Sequence, residues 1–219
     1  MTPSQKLVAE ALGTAFLTAV VFGSAAMGAA LTPDAGLGLL VSSLVTGFAL
    51  FVLITIFAPI SGAHFNPAVT LVFLTRREIG AGEAGAFLLA QAAGALAGAI
   101  ATHLMFGMAW LEWSGIVRDA PRLWLSEGIA TFGLVLVILG GIAAKGPVPA
   151  LVGAYIAAGY WFTSSTSFAN PAMSLARTMT GTGAGIRLED VTPYLVVQIA
   201  GALVAAMLGR WLFAGDARR

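Results

Sequence analysis

The tripeptide Asn-Pro-Ala occurs twice in the chain, as Asn66-Pro67-Ala68 and as Asn170-Pro171-Ala172. Asn is a favoured N-cap and proline is favoured at the first helical position, so one copy alone would indicate only the start of an ordinary helix. Here each copy follows a stretch rich in glycine, serine or threonine, residues 61–65 and 163–167, in an otherwise apolar chain. Non-helical backbone at membrane depth is tolerated only where protein covers it or water lines it. The two copies therefore predict a cavity.

Composition indicates the surroundings in which this cavity lies. The 219 residues are 58% hydrophobic and 10% charged, with a mean hydropathy of +0.91, which is typical of a membrane protein. The net charge of +1 does not suggest a nucleic-acid partner, and we expect membrane lipid as the main surrounding. The absence of cysteine excludes a disulfide, a thiolate metal site and a thiol nucleophile. Neither histidine lies near an acidic or histidine cluster, so we expect no metal site and no cofactor.

Six apolar segments are long enough to cross about 30 Å of hydrocarbon at about 1.5 Å per helical residue. They are residues 7–30, 37–59, 83–108, 123–144, 148–167 and 191–213. Two shorter segments begin at Asn66 and Asn170 and run for about ten residues, or about 15 Å, which is half of the membrane. The first long segment exceeds a signal-peptide core, so we expect it to remain as a transmembrane helix. This pattern predicts an all-α membrane protein with six transmembrane helices and two re-entrant half-helices.

The distribution of Lys and Arg predicts the orientation of the chain. Seven of the 11 lie on the side of the two termini, and four lie on the opposite side. The seven are Lys6, Arg76, Arg77, Lys145, Arg210, Arg218 and Arg219, and the four are Arg118, Arg122, Arg177 and Arg187. Because basic residues favour the cytoplasmic side, we expect both termini to be cytoplasmic.

The sequence also contains an internal repeat. Residues 9–14 match residues 126–131, the two Asn-Pro-Ala motifs match each other, and residues 91–96 match residues 198–203. We therefore divide a single domain, residues 1–219, into a first repeat at 5–110 and a second repeat at 121–215. Each half has three crossings, an odd number, so the second half must enter the membrane from the opposite face. Inverted repeats of this kind place their site near the midplane, where short broken helices meet.

Residues 61–70, together with the second motif, resemble the aquaporin and glycerol-facilitator family, and the resemblance covers residues 10–198 and beyond. It implies a passive channel for water and small uncharged solutes, usually a homotetramer, in a bacterial inner membrane. It also implies that the half-helices meet N-terminus to N-terminus and that Asn66 and Asn170 donate hydrogen bonds into the pore. Each helix N-terminus carries about half a positive charge, so the pair would repel cations at the midplane.

The same resemblance implies four selectivity-filter positions, counted from the motifs without gaps: Thr46, Ala158, Ser167 and Met173. The family normally has an arginine directly after the second motif, where this chain has Met173. Small side chains and a flexible methionine predict a wide filter without a fixed charge. An uncharged residue there resembles a bacterial branch associated with arsenic resistance, which implies glycerol-like polyols and neutral metalloids such as arsenite as solutes. A water-selective channel is the alternative.

Arg177 and His64 are candidates for pore-lining or vestibule residues. Arg177 lies four residues after Met173, hence on the same helical face, where it could partly restore the missing charge. The interpretation that we favour is that Arg177 reaches the membrane interface or pairs with Glu189 or Asp190. We interpret His64 as a neutral residue that braces the first polar loop and can line the cytoplasmic half of the pore.

Glu10 and Glu127 occupy matching positions in apolar helices, as do Gln91 and Gln198. A proton relay is one hypothesis for the two carboxylates. Their symmetric placement favours structural bracing, in which they accept hydrogen bonds from backbone N–H groups of the re-entrant loops. A secondary transporter is a less favoured alternative, because it usually needs a further ion site within the membrane. We find no nucleophile, base and orienting group together, so we do not expect an enzyme.

Overall fold

The computed structural model describes residues 1–213, and this part of the chain is helical throughout, with connecting loops and no strand. The α-helices are α1 Pro3–Leu31, α2 Ala35–Ser61, α3 Pro67–Thr75, α4 Ala81–Met105, α5 Pro121–Ala143, α6 Val148–Phe162, α7 Pro171–Ala176 and α8 Val191–Leu212. Short 3-10 helices cover Arg177–Met179 and Leu188–Asp190. The predicted end of the second repeat at residue 215, and the basic residues Arg218 and Arg219, lie outside the described residues.

Five of the described helices, α1, α2, α4, α5 and α8, are long and apolar enough to cross a membrane. The helix α6 is shorter than predicted. It spans 15 residues, or about 22 Å, whereas the sequence predicts a segment extending to residue 167. Thr163 already has extended backbone, with φ −111° and ψ 139°, and Thr166 and Ser167 have positive φ. The prediction was wrong for residues 163–167, because these polar residues form a loop.

The half-helices α3 and α7 begin as the sequence predicts. Asn66 and Asn170 are their N-caps, and a proline follows each at the first helical position. The Asn66 side-chain oxygen accepts a hydrogen bond from the N–H of Ala68 at 2.9 Å, and the Asn170 oxygen accepts one from Ala172 at 3.0 Å. The side-chain caps satisfy donors that would otherwise be unpaired at a buried helix start. Asn66 and Asn170 therefore fix the point at which each half-helix begins.

The long helices pack in two equivalent pairs, α1 against α4 and α5 against α8. Glycines let each pair approach closely. A Cβ atom added to Gly94 of α4 would overlap the carbonyl oxygen of Ala11 in α1, and a Cβ atom added to Gly201 of α8 would overlap that of Gly128 in α5. Small residues are typical of such crossings in membranes, where close packing replaces the hydrophobic driving force between helices. These positions match each other in the internal repeat.

We predict that Gly94→Ala lowers the stability of the folded protein by about 1–3 kcal/mol, because the added methyl group must push α4 away from α1. Thermal unfolding in detergent measures the effect. Gly85→Ala in the same helix is the matched control, since a Cβ atom there meets no neighbour within 4 Å, and it should leave the melting temperature unchanged or raise it. Equal melting temperatures for both variants would contradict the close α1–α4 crossing.

Candidate functional site

The two half-helices meet at their N-termini through reciprocal hydrogen bonds. The Asn66 side-chain amide donates to the carbonyl oxygen of Ala169 at 2.7 Å, and the Asn170 amide donates to that of Phe65 at 2.8 Å. Each bond joins the Asn of one repeat to the residue that precedes the Asn of the other repeat. An amide group has two N–H donors, so each Asn retains a second donor.

Both Asn66 and Asn170 line a cavity of about 330 Å³. Its lining runs along α2 from Thr46 to Ala58, a rise of about 18 Å at 1.5 Å per residue. Most of the other lining side chains are apolar, including Leu17, Leu50, Val69, Leu134 and Ile156. The cavity is therefore an apolar passage in which the few polar groups of the two loops supply the hydrogen bonds.

The loops before the half-helices share an uncommon backbone. Phe65 and Ala169, one residue before each Asn, have φ of 50° and 47°, and Ala63 and Ser167, three residues before each Asn, have φ of 52° and 53°. Residues other than glycine rarely adopt this left-handed region. Such conformations persist only where the surrounding structure fixes them. The matching positions show that both repeats use the same loop geometry.

Glu10 holds the first loop. Its carboxylate accepts hydrogen bonds from the backbone N–H groups of His64 and Phe65 at 2.9 and 2.7 Å. It also accepts from the Ser61 hydroxyl at 2.6 Å and from the Gln91 amide at 2.8 Å. Glu10 is fully buried, so these four donors replace the water that would otherwise solvate the carboxylate.

Glu127 holds the second loop in the same way. It accepts hydrogen bonds from the backbone N–H groups of Phe168 and Ala169, both at 2.8 Å, and from the Gln198 amide at 2.7 Å. Gln198 also donates to the Ser174 hydroxyl in α7 at 2.9 Å. The carboxylate thereby connects the α5 and α8 helices to the loop and to the half-helix. Glu127 is also fully buried.

One end of the cavity is lined by Thr46, Tyr160, Ser167, Met173 and Arg177, which we call the filter region. The hydroxyl groups of Thr46 and Tyr160 lie 3.1 Å apart and form a hydrogen bond. The Met173 sulfur accepts a hydrogen bond from a buried threonine hydroxyl of α1 at 3.1 Å. Three of the predicted filter residues, Thr46, Ser167 and Met173, are thus brought together.

Arg177 lies in the filter region and not at a salt bridge. Its side chain is buried, its guanidinium carbon lies 3.7 Å from the centre of the Phe168 ring, and it donates to the carbonyl oxygen of Ala184 at 2.7 Å. The expected partners Glu189 and Asp190 pair with Arg187 instead, at 3.4 and 2.7 Å. The favoured interpretation of Arg177 as an interface or ion-pair residue was therefore wrong, because the chain turns inward after α7 and carries this side chain over Phe168.

Residues 1–163 match the major intrinsic protein family. The chain belongs to this family. It is 50% identical over 210 residues to "Aquaglyceroporin AqpS" of Rhizobium meliloti (strain 1021), an alignment that covers 95% of this chain and 90% of that protein. It is 30% identical over 219 residues to "Nodulin-26" of Glycine max, with 95% and 76% covered. The predicted family is confirmed.

The fold agrees with a solved structure of the same class. The "X-ray structure of the aquaglyceroporin from Plasmodium falciparum" superposes with a TM-score of 0.77 over 99% of this chain and 98% of that chain. The two sequences are 20% identical, so this likeness concerns the fold alone. The predicted aquaporin-like fold class is confirmed, and the family relationship supports a channel for water and small solutes.

The structure places Ala158 outside the filter region. Ala158 is exposed on the outer surface of α6, whereas Val152, Ile156 and Tyr160 of the same helix line the cavity. The residues at 152, 156 and 160 recur every four positions and share one face, and a position two residues away lies about 200° around the helix. The count without gaps was therefore wrong for this family member, and Tyr160 occupies the place predicted for Ala158. Its four-residue spacing from Ile156 was the available signal.

His64 lies toward the other end of the cavity. Its ring stacks on Phe73 with centroids 4.6 Å apart, and its Nδ1 lies 3.1 Å from the hydroxyl oxygen of Thr70. The Gln91 amide donates to the same hydroxyl at 2.9 Å and also to Glu10. His64 both lines the cavity and belongs to the hydrogen-bond network of the first loop.

We predict that Ala158→Trp leaves glycerol permeability within twofold of wild type, because the added ring extends away from the passage. The measurement is stopped-flow swelling of proteoliposomes. Gly159→Trp is the comparison, since a Cβ atom at residue 159 would meet the Ser167 side chain within 3 Å and the ring would disturb the filter region. A block of permeability by Ala158→Trp alone would restore the original assignment of this residue.

Proposed function

We propose that this family member is a passive channel for water and small uncharged solutes, with the passage between Asn66 and Asn170 as its conducting site. The observation that carries the proposal is the pair of reciprocal Asn–carbonyl bonds beside a continuous apolar cavity. A fixed pore of this kind needs no covalent chemistry, cofactor or metal. A coupled transporter is less favoured, because the two buried carboxylates already accept hydrogen bonds from the loops.

The chemistry of conduction follows from the arrangement of donors. The N-termini of α3 and α7 face each other and carry partial positive charges, which oppose the entry of cations. A neutral molecule with oxygen acceptors is not repelled, and the free N–H groups of the two Asn amides replace hydrogen bonds that it had with water. Apolar walls elsewhere offer no competing partners, so the solute is not retained.

We propose a permissive filter that admits glycerol-like polyols and neutral metalloids such as arsenite. Support comes from three side chains of the filter region, a threonine, a serine and a methionine, which stand where the family often has larger or charged groups. The expectation of a filter without a fixed charge was wrong, because Tyr160 and Arg177 also line this region. The relative named "Aquaglyceroporin AqpS" is half identical to this chain, which favours this proposal over a water-selective channel. Tyr160, hydrogen-bonded to Thr46 at 3.1 Å, would set the width on one side.

Arg177 supplies the positive charge that Met173 does not. It borders the cavity one helical turn further along the chain, so we propose that cations meet a guanidinium before they reach the two Asn residues. The charge stays in place because Phe168 and the Ala184 carbonyl hold it. Arg177 thus adds a positive charge to a filter region whose other side chains are uncharged.

We further propose that the protein lies in a bacterial inner membrane as a homotetramer with both termini in the cytoplasm. The excess of Lys and Arg on the side of the termini supports this orientation. A reporter enzyme fused after Leu31 distinguishes the two orientations, since residues 31–35 would then face the outside.

The decisive experiment is a stopped-flow series on proteoliposomes with water, glycerol and arsenite, together with a pH-sensitive dye and a potassium gradient. We expect all three neutral solutes to cross without saturation and neither protons nor potassium to cross. Thr46→Phe should reduce glycerol and arsenite permeability at least tenfold and water permeability less, because the ring extends into the passage beside Tyr160.

Leu44→Phe is the matched control, because Leu44 is 46% exposed on the outer face of the same helix. Water flow without solute uptake in the wild type would show a water-selective channel. Saturable uptake that follows an ion gradient would show a transporter.

A second test concerns the buried carboxylates, which we propose brace the loops. Glu127→Gln should lower the free energy of unfolding by about 1–3 kcal/mol, because a side-chain amide offers one acceptor oxygen to two backbone donors. Glu83→Gln is the control, because its ion pair with Lys6 lies at the surface, with side chains 35% and 32% exposed, and should contribute less than about 1 kcal/mol. A wild-type proton current that Glu127→Gln abolishes would indicate a relay.

A further inference from the structure

A second cavity, of about 490 Å³, adjoins the filter region, and we call it the outer vestibule. Tyr160 and Arg177 line both cavities, so they form the boundary between them. The rest of its wall comes from residues of α1 and α2, from the turn between these helices, which includes Asp34, from Arg118 and Thr166, and from the loop at Gly183 and Ala184. The outer vestibule therefore lies directly beside the filter region.

Two guanidinium groups border the outer vestibule, those of Arg118 and Arg177. Both lie against the same ring, with their central carbons 5.0 and 3.7 Å from the centroid of Phe168. Arg118 donates to the carbonyl oxygens of Gly185 at 2.8 Å and Gly183 at 3.2 Å. A guanidinium has five N–H donors, so each Arg side chain retains donors beyond these bonds.

Neither guanidinium has a carboxylate partner within 4 Å in the part of the chain that the structure describes. Arg177 is only 4% exposed, and its Nε has no hydrogen-bond partner among the described residues. A buried charge without a counter-charge is costly, and two like charges on one ring increase the cost. A bound anion would offset this cost.

We propose that the outer vestibule binds one small monovalent carboxylate between Arg118 and Arg177. A planar carboxylate matches the donor fork of a guanidinium better than a spherical ion does, and such pairs are among the strongest hydrogen bonds in proteins. The proposal concerns binding in the outer vestibule, because the lining of the cavity beyond Arg177 is mostly apolar and contains no further Lys or Arg among the described residues, and a full charge there would be costly to desolvate. The binding site is thus distinct from the conducting site, although the consequence for flux rests on the proposed channel function.

Asp34 limits which anions bind. Its carboxylate lines the same vestibule and is held as the N-cap of α2, where it accepts a hydrogen bond from the N–H of Leu37 at 2.9 Å. Two positive charges and one negative charge then face the vestibule. This balance favours a singly charged ligand over a multiply charged one.

The test is a calorimetric titration of the purified full-length protein in detergent with sodium formate, at pH 7.5 and at ionic strength held constant with sodium sulfate, whose anion is doubly charged. We expect saturable binding with one site per chain. Arg118→Gln should weaken formate binding at least tenfold. Arg122→Gln is the matched control, since Arg122 is an exposed cation of the same region that does not line the vestibule, and it should change binding less than twofold.

Asp34→Asn is a variant that should strengthen formate binding, whereas Arg118→Gln should weaken it. Asn is an equally good N-cap, so α2 remains capped while the opposing negative charge is removed, and formate should bind at least threefold more tightly. No saturable binding to the wild type, or equal affinities for the wild type and Arg118→Gln, would overturn the proposal. Unchanged or weaker binding by Asp34→Asn would overturn it as well.

Flux separates this proposal from the channel function. With formate present on both sides, glycerol permeability of the wild type should fall at least twofold, and that of Arg118→Gln should not. Glycerol permeability without formate depends on the channel alone. Binding without any glycerol flux would therefore refute the channel and leave the anion site intact, whereas glycerol flux without binding would refute the anion site only.

Discussion

Two buried carboxylates make the passage through this protein possible. A loop at membrane depth has backbone N–H groups that neither water nor a regular helix can satisfy, and each such group left unpaired is costly. Glu10 and Glu127 each accept two of these groups, from the two residues directly before Asn66 and Asn170. Without these acceptors the left-handed conformations of the loop residues would not be stable, and the N-termini of the two half-helices would not face each other.

The reciprocal Asn bonds extend this bracing to the centre of the molecule. Because Asn66 donates to the loop of the second repeat and Asn170 to the loop of the first, neither repeat can form the site alone. Close helix crossings at Gly94 and Gly201 bring the bracing glutamines toward the loops. Packing, loop geometry and the donors that face the solute are thus parts of one arrangement.

The two repeats share one geometry, but the two ends of the passage carry different side chains. The residue two before each Asn and the residue seven after it stack on each other in both repeats. At one end these are His64 and Phe73, and at the other they are Phe168 and Arg177. The same geometry therefore presents two stacked aromatic rings at one end and a fixed cation at the other. The outer vestibule with its second guanidinium, Arg118, continues that asymmetry.

The sequence by itself determined the family, the inverted repeat, the half-helices and the bracing pairs, because these depend on residue type at matched positions and on the lengths of apolar segments. It did not determine where α6 ends or which of its residues face the passage. The tertiary structure decided both points. The helix ends at Phe162, where the loop begins, and in this arrangement Tyr160 lines the cavity whereas Ala158 is exposed on the outer surface. The surroundings of Arg177 were decided in the same way, since contacts with Phe168 and Ala184 depend on how the chain folds back after α7 and not on any spacing along it.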